Sequence, residues 1–199
     1  KSIYENGSLL SINYFLEMND GNVLIGTESG IKVFNTNDES IRDFKTFFKS
    51  KENYFESLYI YSFYLDTDSC LWVGTRDSGL YIYDIKSDKV IDVSEELDIK
   101  KLNHAVVREM VCDEFGNFWV ATNVGLCCIN LKDNSYVFYN HDKKDKKSIP
   151  HDDIFDLMLS DDLLYVTTGD GLAVYDYKRE DFTTYLLPDT LTERDVVKN

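Results

Sequence analysis

Three histidines are the side chains of this chain best suited to proton transfer or metal ligation near neutral pH: His104, His141 and His151. No two of them are four residues apart, as a pair on one helical face would be, and the chain has no HExxH sequence. It also has no G-x-S-x-G sequence and no glycine-rich phosphate loop. The spacing therefore predicts no catalytic residue, no metal ligand and no cofactor.

Carboxylates and thiols give equally little chemistry. The turn Asp66-Thr67-Asp68 has oxygen ligands for Ca²⁺ but lacks the glutamate that completes a hand-type loop, so a hairpin turn is favoured. The four cysteines fit neither a disulfide framework nor a zinc site, and they leave the redox compartment open: Cys70, Cys112, Cys127 and Cys128.

Charge and hydropathy exclude some partners. The formal net charge of −15 disfavours nucleic acid and anionic membrane surfaces, which repel an acidic protein. No stretch approaches the ~18 consecutive apolar residues of a transmembrane helix, so we expect no membrane contact within this chain. The basic run from Lys143 to Lys147 is typical of a solvated loop.

The elements that must position any functional group recur four times. One threonine is shared by all four copies and recurs at intervals of 48, 47 and 46 residues: Thr27, Thr75, Thr122 and Thr168. A constant period of this size indicates one supersecondary unit stacked on copies of itself.

The second copy shows the unit best. Short stretches rich in aromatic and β-branched residues alternate with polar turns, which predicts four antiparallel strands at Tyr59–Leu65, Leu71–Thr75, Leu80–Asp84 and Val90–Val93. The second strand is apolar on both faces in every copy, so the sheet must be covered on both sides. Radial stacking of four-stranded blades provides that cover, and it makes Trp72 and Trp119 inter-blade packing residues.

We therefore predict an all-β fold, a β-propeller of four-stranded antiparallel blades, as a single domain over residues 1–199. The four blades fall at about 10–44, 58–93, 105–139 and 153–185. A small residue precedes the shared threonine in each copy, which indicates close approach of a neighbouring backbone: Gly26, Gly74, Ala121 and Thr167.

The motifs carry a family resemblance. The segments Asp66–Asp84 and Cys112–Asn130 contain the pattern D-x-x-G-N-x-W-x-G-T followed by G-L-x-x-Y-D in its closest forms, and this resembles the two-component regulator propeller repeat. Leu24 and Tyr165 depart from it, since they replace tryptophan. The resemblance implies an extracytoplasmic, non-catalytic ligand-sensing domain of a bacterial membrane signalling protein, such as a two-component sensor kinase.

The chain ends suggest a segment of a larger propeller. Thr190 to Lys198 resembles the lead-in to the fourth copy, so residues 190–199 are predicted to start a further repeat. A closed four-bladed ring is the alternative. An open arc would expose two apolar sheet faces, and we expect the terminal blades to self-associate through them.

The predicted ligand site lies on the face where the turns between second and third strands meet the long connections between blades. This face carries eight candidate residues: Arg76, Asp77, Asn123, Asp170, Asn103, His104, His151 and Asp152. Such a mixed polar rim suits a polar small molecule or a glycan, and it is also typical of solvated loops.

Two other functions stay open. One is a protein-interaction or dimerisation propeller. The other is a lyase resembling the streptogramin-type propeller lyases, which requires a histidine and glutamate cluster with a metal; His104 and His151 could share one face, but no carboxylate partner is evident.

Overall fold

The computed structural model describes residues 4–5, 8–67 and 69–186. The lead-in predicted at 190–199 lies outside these described residues. Within them, no helix is both long enough and apolar enough to cross a membrane.

The strands form a short hairpin and four sheets of four. The hairpin pairs β1 (Tyr4–Glu5) with β2 (Ser8–Leu9). The first blade has the strands β3 (Ile12–Glu17), β4 (Val23–Thr27), β5 (Gly30–Asn35) and β6 (Ser40–Asp43). The second has β7 (Ile60–Leu65), β8 (Cys70–Thr75), β9 (Leu80–Asp84) and β10 (Lys89–Asp92). The third has β11 (Val107–Cys112), β12 (Asn117–Thr122), β13 (Gly125–Asn130) and β14 (Tyr136–Tyr139). The fourth has β15 (Ile154–Ser160), β16 (Leu163–Thr168), β17 (Gly171–Asp176) and β18 (Asp181–Leu186).

Every sheet is antiparallel and follows chain order, so each is a meander. The connections contain short helices that the strand pattern did not predict: α1 (Phe44–Phe48), α2 (Val93–Glu96) and a 3₁₀ turn at Lys100–Leu102. The predicted all-β fold of four four-stranded blades is confirmed.

The shared threonine closes the same turn in each blade. The hydroxyl of Thr122 donates to the carbonyl of Gly125 at 2.6 Å and accepts from the N–H of Val124 at 3.1 Å. The hydroxyls of Thr27, Thr75 and Thr168 make the equivalent bonds. All four side chains are buried, so these bonds fix the turn between the second and third strands away from water.

The small residue before the threonine lets adjacent blades approach. A Cβ added to Gly74 would overlap Ser62 Oγ and would lie 2.9 Å from the carbonyl oxygen of Val107, on the next blade. The expected close backbone approach is therefore confirmed at this position. The first strands of consecutive blades contact each other, which places them innermost around the axis.

The two tryptophans are buried between blades, as expected. Trp119 is 1% exposed, and its indole N–H donates to Asp113 Oδ2 at 3.0 Å. Asp113 also accepts from the N–H groups of Phe115 and Asn117 in the turn before β12. Asp66 holds Trp72 in the same way, at 3.3 Å. The aspartate of the repeat thus holds both the turn and the buried tryptophan in place.

The four blades do not close into a ring. Phe63, Met110 and Leu157 occupy one repeat position and are at most 6% exposed, because each packs against the preceding blade. Phe15 occupies that position in the first blade and is 73% exposed. On the free face of the fourth blade, Met158 is 56% exposed.

Candidate functional site

The inner strand of every blade carries a β-bulge at one position. In all four sheets, the register between the first and second strands shifts at this position. The shift comes directly after the residue pair that contains the shared threonine. The bulged residues differ in chemistry from blade to blade: Asn13, Tyr61, Arg108 and Phe155. A bulge re-aims a side chain without disturbing the rest of the sheet. We call these four residues the bulge ring.

Two members of the bulge ring bond to the next blade. Asn13 Nδ2 donates to the carbonyl oxygen of Ile60 at 3.1 Å. Arg108 Nη1 donates to the carbonyl oxygen of Ile154 at 2.7 Å and forms an ion pair with Asp153 at 2.6 Å. These bonds hold the inner strands together at the end where the long connections enter.

A hydrogen bond joins the first and third blades. The hydroxyl of Tyr14 lies 3.2 Å from both carboxylate oxygens of Glu109, although 95 residues separate them in sequence. Burial raises the pKa of the Glu109 carboxyl above its ordinary value, and the Asp156 carboxylate adds to this effect. Burial and the Glu109 charge raise the pKa of Tyr14 to about 12, so its hydroxyl stays a donor at neutral pH.

Aromatic and cationic groups meet beside the bulge ring. The Arg76 guanidinium carbon lies 5.0 Å from the centre of the Tyr59 ring, and Tyr59 makes an edge contact with Tyr61 at 5.3 Å between ring centres. The Tyr59 hydroxyl lies 3.4 Å from Asn13 Oδ1. We call Asn13, Tyr59, Tyr61 and Arg76 the axial cluster. Stacking rings beside amide and guanidinium donors can hold a polar ring-shaped ligand.

The other predicted rim residues lie near the same end of the blades, but several already hold the loops in place. Asn123 Oδ1 accepts from the N–H of Val106 at 2.9 Å. Asp152 Oδ1 accepts from Asn140 Nδ2 at 3.0 Å and from the N–H of His141 at 2.6 Å. His151 Nδ1 accepts from the N–H of Asp153 at 2.9 Å. These side chains therefore support the connections.

The remaining predicted residues are exposed to solvent: Asp77, Asn103, His104 and Asp170. His104 Nδ1 lies 3.3 Å from the carbonyl oxygen of Asp77, which brings these two predicted residues together. The N–H of Asp170 donates to the hydroxyl of Thr168. Of the eight predicted residues, Arg76 is the one placed in the axial cluster.

Sequence reasoning missed Tyr14, Glu109 and all four residues of the bulge ring. Tyr14 and Glu109 occupy one repeat position, directly after the bulge, where the second and fourth blades have Ser62 and Asp156. A polar side chain at this step of every inner strand is the sequence signal that could have identified Tyr14 and Glu109.

The histidines do not assemble a metal centre in the described part of the chain, where no group of three or more His, Cys, Asp or Glu could hold an ion. His141 Nδ1 lies 2.9 Å from the carbonyl oxygen of Ile149. Cys112, Cys127 and Cys128 form no disulfide in the described part of the chain. Burial raises the pKa of Cys127 and Cys128 above the ordinary thiol value, which keeps them protonated.

Comparison with known families gives a direct match. Residues 54–77 match the family described as two component regulator propeller. Residues 54–77 therefore resemble a repeat of that family. The matched segment spans the connection before the second blade, both strands β7 and β8, and Arg76. Comparison with curated proteins gives no match.

Solved structures share the propeller fold. The extracellular domain of BT4673 from B. thetaiotaomicron, described as a hybrid two component system, aligns with a TM-score of 0.72 at 21% identity, covering 96% of this chain and 23% of that chain. BT3049 of the same organism, described in the same way, gives 0.72 at 20% identity, with 94% and 24% covered. The repeat-bearing chain thus spans about a quarter of their length. Virginiamycin B lyase from Staphylococcus aureus gives 0.64 at 12% identity, with 95% and 60% covered.

Proposed function

We propose that this propeller segment is a non-catalytic part of an extracytoplasmic sensor domain of a bacterial signalling protein, and that it binds a polar small molecule or glycan at its axial end. The repeat match and the fold shared with two extracellular domains of two component systems support the sensor role. The single observation that carries the ligand site is the axial cluster, in which Tyr59 contacts both Arg76 and Tyr61.

The chemistry of the cluster favours a neutral sugar ring. Aromatic faces bind the apolar face of a sugar, while amide and guanidinium groups donate to its hydroxyls. The overall charge of −15 opposes a polyanion despite the two arginines near the axis. Asp77 and His104, exposed beside the cluster, are proposed to extend the site outward, and Asn103 and Asp170 lie on the same rim.

The experiment is a binding screen with neutral oligosaccharides, read by thermal shift and then calorimetry. A ligand that binds the folded state raises the unfolding midpoint by an amount set by its concentration over Kd. We expect Arg76→Ala and Tyr61→Ala to lose the shift. Lys86→Ala, an exposed change in the turn at the opposite end of the second blade, is the matched control and should keep it. A sugar that raises the unfolding midpoint of all three variants equally would have to bind at a site other than the axial cluster.

We also propose that the open blade faces pair between copies of this chain. Three internal junctions bury the residue equivalent to Phe15 against the preceding blade, and the fourth blade offers the matching face through Met158 and Tyr165. A head-to-tail contact would therefore repeat the internal junction. Such pairing corresponds to the protein-interaction or dimerisation function that the sequence leaves open.

Light scattering at tens of micromolar tests the pairing. The wild type should have a mass above that of the monomer, and Phe15→Asp should shift it to monomer. Phe115→Asp is the matched control, because Phe115 is also exposed but lies in a turn of the third blade. A wild type that stays monomeric throughout the concentration range would contradict the proposal.

A further inference from the structure

One repeat position fills the outer part of each blade junction with an aromatic ring, except between the second and third blades. Tyr83 packs against Phe44 and Phe55, which lie in the connection between the first and second blades. Tyr175 packs on the third blade against Trp119, with 5.2 Å between ring centres. The third blade has Ile129 at this position, where it faces the second blade.

A cavity of about 290 Å³ lies at this junction, beside Ile129. Its apolar wall is formed by Trp72, Ile82, Val93, Leu97 and Ile129. The volume is near the lower end for small-molecule sites, which suits a ligand with a single aromatic ring. The tyrosine ring at this repeat position in the adjacent junctions is therefore taken as the model for the ligand.

The polar groups of the cavity indicate the functional group of that ligand. Tyr83 donates its hydroxyl to Asp88 Oδ1 at 3.1 Å, and Asn134 occupies the place equivalent to Asp88 in the third blade. Asn134 lines the cavity together with two carboxylates, Asp66 and Glu96, and its described lining residues include no lysine or arginine. Negatively charged hydrogen-bond acceptors favour a donor group on the ligand and disfavour a carboxylate.

We propose that the cavity between the second and third blades binds a small aromatic molecule carrying a hydroxyl or ammonium donor and no carboxylate. The ring takes the place that Tyr83 and Tyr175 fill in the adjacent junctions. The donor group meets Asn134 or Glu96 at the rim. This site is separate from the axial cluster, so the two can be tested independently.

Titration with three probes tests the proposal: p-cresol, which is the tyrosine side chain itself, tyramine, which adds an ammonium group, and 4-hydroxyphenylacetate, which adds a carboxylate. Binding is followed by NMR of the two indole N–H signals. We expect p-cresol and tyramine to shift the Trp72 signal, because Trp72 lines the cavity. The signal of Trp119, in the next junction, should stay in place. The carboxylate probe should bind at least about tenfold more weakly than tyramine.

The variant Ile129→Tyr supplies the ring from the chain and should abolish the Trp72 shift while raising the thermal midpoint. Val137→Tyr adds the same ring on exposed strand β14 and is the matched control, which should bind as the wild type does. Unchanged binding in Ile129→Tyr, equal shifts of both indole signals, or no shift with either p-cresol or tyramine at 10 mM would each overturn the proposal. If Ile129→Tyr does not fold, the comparison of the two indole signals in the wild type still decides the outcome.

Discussion

Removing the Asp113 carboxylate should separate its two roles, in the turn and in the core. Its Oδ1 accepts from the N–H groups of Phe115 and Asn117, at 2.9 and 2.8 Å. Its Oδ2 accepts from Asn117 Nδ2 and from the Trp119 indole, both at 3.0 Å. Asp113→Ala therefore loses bonds at a partly open turn and leaves one buried N–H without its acceptor.

The magnitude follows from where each donor is left. The backbone donors of the turn can reach water once the side chain is gone. The indole N–H of Trp119 cannot, because that side chain is 1% exposed, so its desolvation costs about 1–3 kcal/mol. Together with the lost charge-assisted bonds, we expect Asp113→Ala to lower the free energy of unfolding by about 3 kcal/mol.

A double-mutant cycle with Trp119→Phe isolates the indole bond. Phenylalanine keeps a buried ring but has no N–H to leave unpaired, so Asp113→Ala should cost about 1–3 kcal/mol less in that background. Urea unfolding followed by circular dichroism measures all four proteins without depending on tryptophan fluorescence. If the two single effects add to within about 0.5 kcal/mol, the indole bond contributes nothing and the reasoning is wrong.

Three further predictions concern the blade frame and the axis. Gly74→Ala should lower the free energy of unfolding by about 1–3 kcal/mol, because its Cβ would overlap Ser62 Oγ and the next strand. Ala121→Gly, at the equivalent position, should lower it by about 0.5–1 kcal/mol. Equal losses for the two variants in urea unfolding would contradict the crowding at Gly74. Thr122→Val should cost about 1–2 kcal/mol in the same assay, because the hydroxyl bonds across the turn are lost in a buried place. Folding raises the pKa of the Glu109 carboxyl. At a pH just above the ordinary glutamate pKa, the folded state therefore binds more protons than the unfolded state. The stability that this group contributes falls as the pH rises through that range. Between pH 4 and pH 8, the thermal midpoint of Glu109→Gln should rise relative to that of the wild type as the pH increases. A difference between the two midpoints that stays constant with pH would contradict the burial of the carboxylate.

The repeat frame could be predicted from the sequence because its determinants are local. The hydroxyl of Thr122 and the carbonyl it bonds are three residues apart, and the Asp113–Trp119 pair lies within one turn and strand. Such groups act inside windows of a few residues, and four copies repeat the signal. The strand pattern and the two buried tryptophans follow directly.

The candidate site was harder to predict, because it depends on pairing between distant segments. The Tyr14–Glu109 bond joins the first and third blades, and only the curvature of the whole arc brings these residues together. The aim of Tyr61 depends on a bulge, which has no residue signature of its own in this chain. Asn123 and Asp152 carry polar side chains typical of a ligand site, yet backbone donors take up their oxygens.

The exposed Phe15 also bears on how such a chain can evolve. Each internal junction uses the same repeat positions on its two faces, and the two open ends of the arc present these same positions. Duplication or loss of one whole repeat then leaves every remaining junction with suitable partners. Blade number can therefore change in single genetic events without redesign of the core, while the bulge residues diversify one blade at a time.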